Sequence, residues 1–218
     1  GEILSRRGII RSTNENLLKI MLSNGTHYED GVGDEDGEEI HINYPVSLIG
    51  ESRDGCKIIG SLRINGEEED NVYIKNLTLR ESMGHGVHGL NGASIHLDNL
   101  SVENSGFHGV SVSGTKRNTM KNCNVSHSIF GGLVVDNGAL MTVSGNATTI
   151  HHNATGQDVT RGLYTYSYSS IHLVSPLTIK MASTKNGRGD TYNYGGLGII
   201  KSVDTNGKVL EVVYKFEI

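Results

Sequence analysis

Apolar and polar residues alternate in short bursts along the middle of this chain, and the bursts keep step with one another. Val72-Tyr73-Ile74-Lys75-Asn76-Leu77-Thr78-Leu79 lies over Ile95-His96-Leu97-Asp98-Asn99-Leu100-Ser101-Val102, and that run lies over Asn118-Thr119-Met120-Lys121-Asn122-Cys123-Asn124-Val125. Alternation with period two predicts half-buried strands. A second set of alternating runs follows a glycine: Gly86-Val87-His88-Gly89, Gly109-Val110-Ser111-Val112 and Gly132-Leu133-Val134-Val135. Asn76, Asn99 and Asn122 recur every 23 residues, as do Ser82, Ser105 and Ser128, and Gly86, Gly109 and Gly132. Three residue types in one register across three units specify a repeat architecture. No segment between the strands has the helical period that a crossover helix needs, which excludes a Rossmann-like or barrel fold.

Short strands joined by tight turns in each 23-residue unit predict an all-β, single-stranded right-handed parallel β-helix. Successive coils then lie roughly 4.8 Å apart, and equivalent residues stack in columns. The asparagine column suits a bend, because Asn tolerates the left-handed conformation and its amide can bond the next amide. Asn99 is expected to be buried, with hydrogen bonds to coils on both sides. The glycine column suits positive φ or close contact between coils. Upstream, Ile40 to Ser52 reads as an earlier coil. Ser52 lies 30 residues before Ser82, which implies a seven-residue insertion around Glu67-Glu68-Glu69-Asp70. Downstream, Met141 and Val143 continue the inward column, a two-residue slip near Asn146 follows, and Ile171-His172-Leu173 repeats Ile95-His96-Leu97. About six coils result, in one domain: residues 1–39 as N-terminal cap and lead-in strand, 40–197 as coils and 198–218 as a C-terminal hairpin cap. Ile3, Leu4, Ile9 and Ile10 suggest a short capping helix over 2–12. Gly198 to Val203, the turn Asp204-Thr205-Asn206-Gly207, and Lys208 to Val213 read as a β-hairpin.

The run Pro45-Val46-Ser47-Leu48-Ile49-Gly50-Glu51-Ser52-Arg53-Asp54-Gly55 resembles the first-coil signature of pectin-lyase-like right-handed β-helix proteins. Leu22-Ser23-Asn24-Gly25-Thr26-His27-Tyr28 is similar to the strand and turn that lead into that coil. The resemblance spans nearly the whole chain as architecture. It implies a fold shared by lyases, hydrolases, epimerases, adhesins and viral fibres, so it does not choose among them.

The register also stacks polar groups. One column reads Arg80, Glu103, Ser126, His151; the next reads Glu81, Asn104, His127, His152; a third holds His85 and His108. His85, His108, His127, His152, Arg80 and Glu103 are therefore the candidates for acid–base chemistry, with His108 and His127 expected to approach each other in one groove. Gly84-His85-Gly86 is similar to the short Gly-His-Gly motif of polygalacturonases. The Asn-Thr-Asp, Asp-Asp and Arg-Ile-Lys motifs of those enzymes do not occur, nor do the Arg-X-Pro-X-X-Arg pattern of pectate lyases and the Asp-Pro-His core of alginate epimerases. No paired acids for sugar hydrolysis appear on these coils.

A second constellation is aromatic. Tyr164, Tyr166 and Tyr168 alternate with Leu163 and Thr165, and Tyr192 and Tyr194 follow one coil later, five of the nine tyrosines in a chain without tryptophan. If Leu163 and Thr165 face inward, the tyrosines face outward as candidate ligand-binding residues.

A net charge of −5 lacks the basic footprint of a nucleic-acid binder. No apolar run is long enough to span a membrane. Cys56 and Cys123 fall on different parts of coils about two apart, so no disulfide is expected. The acidic runs Glu29 to Glu39 and Glu67 to Asp70 offer carboxylates to Ca²⁺ but lack an EF-hand pattern, and no metal site or other cofactor is assigned. These observations leave two function classes. The first is a non-catalytic carbohydrate-binding or surface-interaction β-solenoid, with a polysaccharide or glycan partner and an extracellular or surface location. The alternative is a polysaccharide-acting enzyme, a lyase or epimerase, that uses the His/Arg/Glu flank.

Overall fold

Every alternating run becomes a strand whose apolar residues point into a common core. The computed structural model describes residues 2–5, 8–28, 39–114, 117–156, 161–187, 189–193 and 198–213. Three sheets, of nine, seven and seven strands and parallel apart from the last strand of the nine, enclose that core as a β-solenoid. The first coil runs through Leu18–Leu22, Gly25–Tyr28 and Glu39–Ile42, one strand in each sheet. The repeat is plainest in the next coils but one: Asn71–Lys75, Thr78–Arg80, Val87–Leu90, then Ser94–Asp98, Ser101–Glu103, Val110–Ser113. The seventh coil ends in Ser183–Thr184 and Thr191–Asn193. There are thus seven complete coils rather than about six, because residues 18–42 already pair in register with the coil above: Leu18 with Val46, Gly25 with Cys56, Ile40 with Leu62.

The core columns carry the stability. Leu62, Val87, Val110, Leu133 and Leu163 stack inside the third sheet, and Ile58, Leu79, Val102, Val125 and Ile150 inside the second, none more than 1% exposed. Burying each such side chain stabilises the fold by roughly 1.5–3 kcal/mol relative to exposure. Cys123 continues the Leu77 and Leu100 column, and both cysteines are buried free thiols.

At the bend between the first and second sheets, Asn76, Asn99 and Asn122 have φ of 53°, 55° and 53°. The Asn99 amide donates to Asn76 Oδ1 at 3.0 Å, and its backbone N–H reaches Lys121 O at 2.9 Å. Both neighbouring coils are therefore bonded, yet Asn99 is half-buried rather than buried, because this two-residue bend lies at the rim of the core.

The bend between the second and third sheets holds a deeper device. Glu81, Asn104, His127, His152 and Lys185 all have φ between 55° and 60°. One residue further on, Ser82, Ser105, Ser128, Asn153 and Asn186 point inward, all 8% exposed or less. Asn153 Oδ1 accepts from Ser128 N at 3.0 Å, its Nδ2 donates to Val125 O at 2.9 Å, and its own N–H donates to Asn186 Oδ1 at 3.0 Å. The glycine column beside it serves close approach rather than positive φ. A Cβ on Gly109 would sit 2.3 Å from Val125 Cγ1 and 2.9 Å from Gly132 O.

Three expectations need correction. The segment expected as a capping helix is an antiparallel pair, Glu2–Ser5 with Gly8–Arg11. Its apolar residues at 3, 4, 9 and 10 do not follow helical spacing, and isoleucine favours strands. Ser52 does not lie under Ser82: Thr78 pairs with Lys57, only 21 residues before it, so the extra residues of that coil are shared between the 51–55 bend and the 66–70 loop. Tyr166 and Tyr168 are not in a strand, which ends at Thr165; Tyr168 sits in the following turn with φ of 62°.

The C-terminal hairpin forms as expected. Ile199–Val203 adds an eighth rung to the first sheet and Val209–Val213 returns antiparallel, with Asp204 Oδ1 accepting from Asn206 N and Lys208 N at 2.8 Å. A one-turn helix, Ile179–Ala182, is capped by the Thr178 side chain and buries Ile179 and Ala182 in the seventh coil. Among the described residues no helix is long and apolar enough to cross a membrane.

Candidate functional site: the histidine bend and the third-sheet face

The register places Arg80, Glu103, Ser126 and His151 in one outward column of the second sheet. The slip near Asn146 is real: Thr149 pairs with Asn124, 25 residues away instead of 23. His151 and His152 meet there, Nδ1 to Nδ1, at 2.7 Å. An amide oxygen can only accept, so His151 Nε2–H donates to Asn124 Oδ1 at 2.9 Å; His151 Nδ1 is then the acceptor and His152 Nδ1–H the donor. Asn124 also takes the Thr149 hydroxyl at 3.0 Å and donates to Ser101 Oγ at 3.0 Å, and Ser101 donates to Glu103. His127 stacks on His152, centroids 5.4 Å apart and rings 4° from parallel. Arg80 is engaged by Glu81 on its own coil.

His85 and His108 belong to a different group. They lie past the same bend, on the side of the third sheet, with ring centroids 5.2 Å apart. His85 packs at 4.1 Å on His88, and Phe107 lies between His85 and Phe130 at 4.9 and 4.3 Å. Burial, then the neighbouring His88 and His108, push the His85 pKa down to about 3. Burial and His88 take His108 down to about 4. The Gly131 N–H donates to His108 Nδ1 at 2.9 Å, which fixes that nitrogen as the acceptor. Among the described residues no ring contact joins this group to His127: His108 is buried beside Phe107 and Phe130, whereas His127, expected to approach it, is exposed and stacks on His152.

The third sheet lines up its own outward column: His41, Arg63, His88, Ser111, Val134 and Tyr164, with Tyr192 next in backbone register. Glu39 lies 3.6 Å from both His41 and Arg63 at one end. Ser111 and Val134 face outward yet are only 8% and 7% exposed, so neighbouring groups cover them between His88 and Tyr164. Leu163 and Thr165 are fully buried, as alternation requires; Tyr164 is half-buried, Tyr166 39% exposed and Tyr168 74% exposed. Tyr194 and the acidic segment 29–38 lie outside the described residues, as does the side chain of Tyr192. Among the described residues no group of three or more His, Cys, Asp or Glu gathers to hold a metal ion.

A family model described as the right-handed β-helix region matches residues 61–195, more than half of the chain. The chain belongs to the right-handed β-helix family. That membership fits the pectin-lyase-like architecture its first coil resembles, and gives the solenoid its hand. No curated protein and no solved structure shows a significant match. Function therefore has to be read from the faces of this β-helix.

Sequence reasoning missed a third locus. On the outer face of the first sheet, Tyr73 and His96 stack with centroids 4.6 Å apart and rings 20° from parallel, in a groove of about 170 Å³. The signal was present, since Tyr73 and His96 occupy one column 23 residues apart, as do Lys75, Asp98 and Lys121. Attention to histidine-rich bends and tyrosine clusters passed over it.

Proposed function

We propose that this β-helix is a non-catalytic carbohydrate-binding or surface-interaction solenoid, and that a glycan chain lies on its third-sheet face. The observation that carries the reading is the cluster of rings His85, His88, Phe107 and His108 beside the third sheet, in whose outward column Tyr164 also stands. Flat π faces suit a sugar ring, which stacks its C–H face and hydrogen-bonds at its edge. Imidazoles whose pKa values lie near 3 and 4 are neutral at neutral pH. They hydrogen-bond well there, but are poor bases and carry no proton to donate as general acids.

The enzyme reading draws its support from the Asn124-centred network, which links Glu103 through Ser101 to the His151–His152 pair across three coils. A lyase or epimerase could use such a chain to move a proton. Against it, Glu103 is tied to Ser101 and Arg80 to Glu81, so neither stands free to act on a substrate.

A glycan array probed with the parent protein and with His88→Ala and Tyr164→Ala tests the proposal. Each variant is expected to lose about tenfold in affinity for whichever glycan the parent retains. Unchanged binding in both would place the ligand elsewhere.

A further inference from the structure

The groove on the first sheet shares no residue with the third-sheet face and holds a different kind of chemistry. Its outward column runs Tyr73, His96, Thr119 on successive coils. Asn71 stands two residues before Tyr73 on the same strand, and so on the same face.

Side chains from three coils meet at one imidazole. His96 Nδ1 lies 2.9 Å from Thr119 Oγ1, and His96 Nε2 lies 3.0 Å from Asn71 Oδ1. The Asn71 amide is itself fixed. Its Nδ2 donates to Glu69 O at 3.1 Å and to Asn14 Oδ1 at 3.2 Å, so its oxygen is the atom that faces His96. An amide oxygen only accepts, so His96 Nε2 carries the ring hydrogen. Nδ1 is then bare, and the Thr119 hydroxyl donates to it. Burial, then the positive charges of Arg117 and Lys75, lower the pKa of His96 and keep the ring neutral at neutral pH. Tyr73 stacks on the ring and steadies it between its two partners.

Nucleophilic catalysis by a hydroxyl needs this arrangement. A threonine hydroxyl attacks poorly until a base holds its proton, and the base serves best when a third group fixes its tautomer. The groove beside Thr119, about 170 Å³, gives a small substrate room. Lys75, Asp98 and Lys121 also line it, so it carries two ammonium groups against one carboxylate. An oxyanion formed there would be met by an ammonium, since the backbone N–H groups of these strands serve the sheet ladder.

We propose that Thr119, His96 and Asn71 form a hydroxyl–imidazole–amide triad that cleaves esters of small carboxylic acids. Thr119 Oγ1 attacks the carbonyl carbon, and its proton passes to His96 Nδ1. The C–O bond to the alcohol breaks, and Nδ1–H hands that proton to the departing oxygen. The acyl group stays on Oγ1 as an ester. Water then attacks the same carbonyl carbon and gives a proton to Nδ1. The bond to Oγ1 breaks, Oγ1 takes the proton back, and the carboxylic acid leaves. Nothing is oxidised or reduced. Asn71 touches no reacting atom and is a positioning residue. A glycan without ester groups offers the triad nothing to cleave, so this site and the third-sheet face stand or fall separately.

The test uses p-nitrophenyl acetate, with nitrophenolate release followed by stopped flow and the acetylated peptide located by mass spectrometry after an early acid quench. The parent is expected to show a burst and to carry the acetyl group on Thr119. Thr119→Val and His96→Gln should each slow acylation by about a hundredfold or more, whereas Thr119→Ser should keep the burst. Asn71→Ala should slow the burst and turn His96 from a single Nε2–H tautomer into a mixture, read by nitrogen-15 NMR, which a loss of packing alone would not do. Tyr164→Ala should leave all of these values unchanged. Acetyl groups on Lys75 or Lys121 but not on Thr119, release by Thr119→Val equal to the parent's, or release no faster than with free imidazole would overturn the proposal.

Discussion

Two groups of histidines flank the same bend, and they have opposite surroundings. His127 and His152 sit in the left-handed column itself, exposed, with His151 beside them tied into a network of hydroxyls and amides. His85 and His108 sit four residues further along, packed among Phe107, Phe130 and one another. One repeat places both, yet one group is solvated and the other loses its water. Register decides where an imidazole stands; the next few residues of the bend decide its chemistry. The contrast separates a polar relay on the second sheet from an apolar shelf on the third.

The contrast can be broken outright by removing what seats the bend. Asn153→Ala would leave Ser128 N–H and Val125 C=O without partners in the core, each worth roughly 1–3 kcal/mol, so a loss of several kcal/mol is expected in urea unfolding. Both groups should lose their positions together.

Acid should separate the two groups. The folded pKa values of His85 and His108, about 3 and 4, lie below the ordinary 6.5. Between those values the unfolded chain binds more protons, so stability rises with pH. Their contribution is complete above about 6.5 and is lost as pH falls toward 3, on the order of a few kcal/mol in total. Melting temperatures from pH 7 to pH 4 should fall steeply for the parent and less steeply for His85→Phe.

A pair of substitutions gives a smaller but cleaner contrast. His108→Ala orphans the Gly131 N–H and removes packing, at a cost of roughly 1–3 kcal/mol. His127→Ala, on an exposed face, should stay within about 0.5 kcal/mol. Equal costs would mean that the two environments do not differ as described. An effect well short of Asn153→Ala is expected at the rim: Asn99→Ala removes one amide–amide bond at a half-buried position, about 1 kcal/mol.

The columns were legible in the sequence because a strict 23-residue step carries Val87 over Val110 over Leu133 without gaps. The arrangement of Arg80, Glu103 and Ser126 followed from the same step, and His151 joined it only once a two-residue slip near Asn146 was allowed. Where the step changes, legibility fails. The 25-residue slip hides that Asn153 inherits the serine column, and irregular bends hide that residues 18–42 form a coil. The isolated Ile3 and Ile10 pairing carries no repeat to anchor it. Burial of His85 and His108 was not readable at all, since it depends on Phe107 and Phe130 folding over them. The tyrosines show a mixture: alternation fixes Tyr164, but the strand ends at Thr165, three residues before Tyr168, which sits in the turn that follows.

The central claim is that the third-sheet face binds a glycan and leaves it unchanged. The most direct measurement recovers the strongest array ligand after prolonged incubation at neutral pH and weighs it by mass spectrometry. The account predicts an intact glycan of unaltered mass and unaltered proton NMR spectrum, the second excluding epimerisation, with retention on the protein reduced in Tyr164→Ala. Shortened chains, or an unsaturated uronate product that disappears in His151→Ala, would contradict it and shift the function to the network on the second sheet.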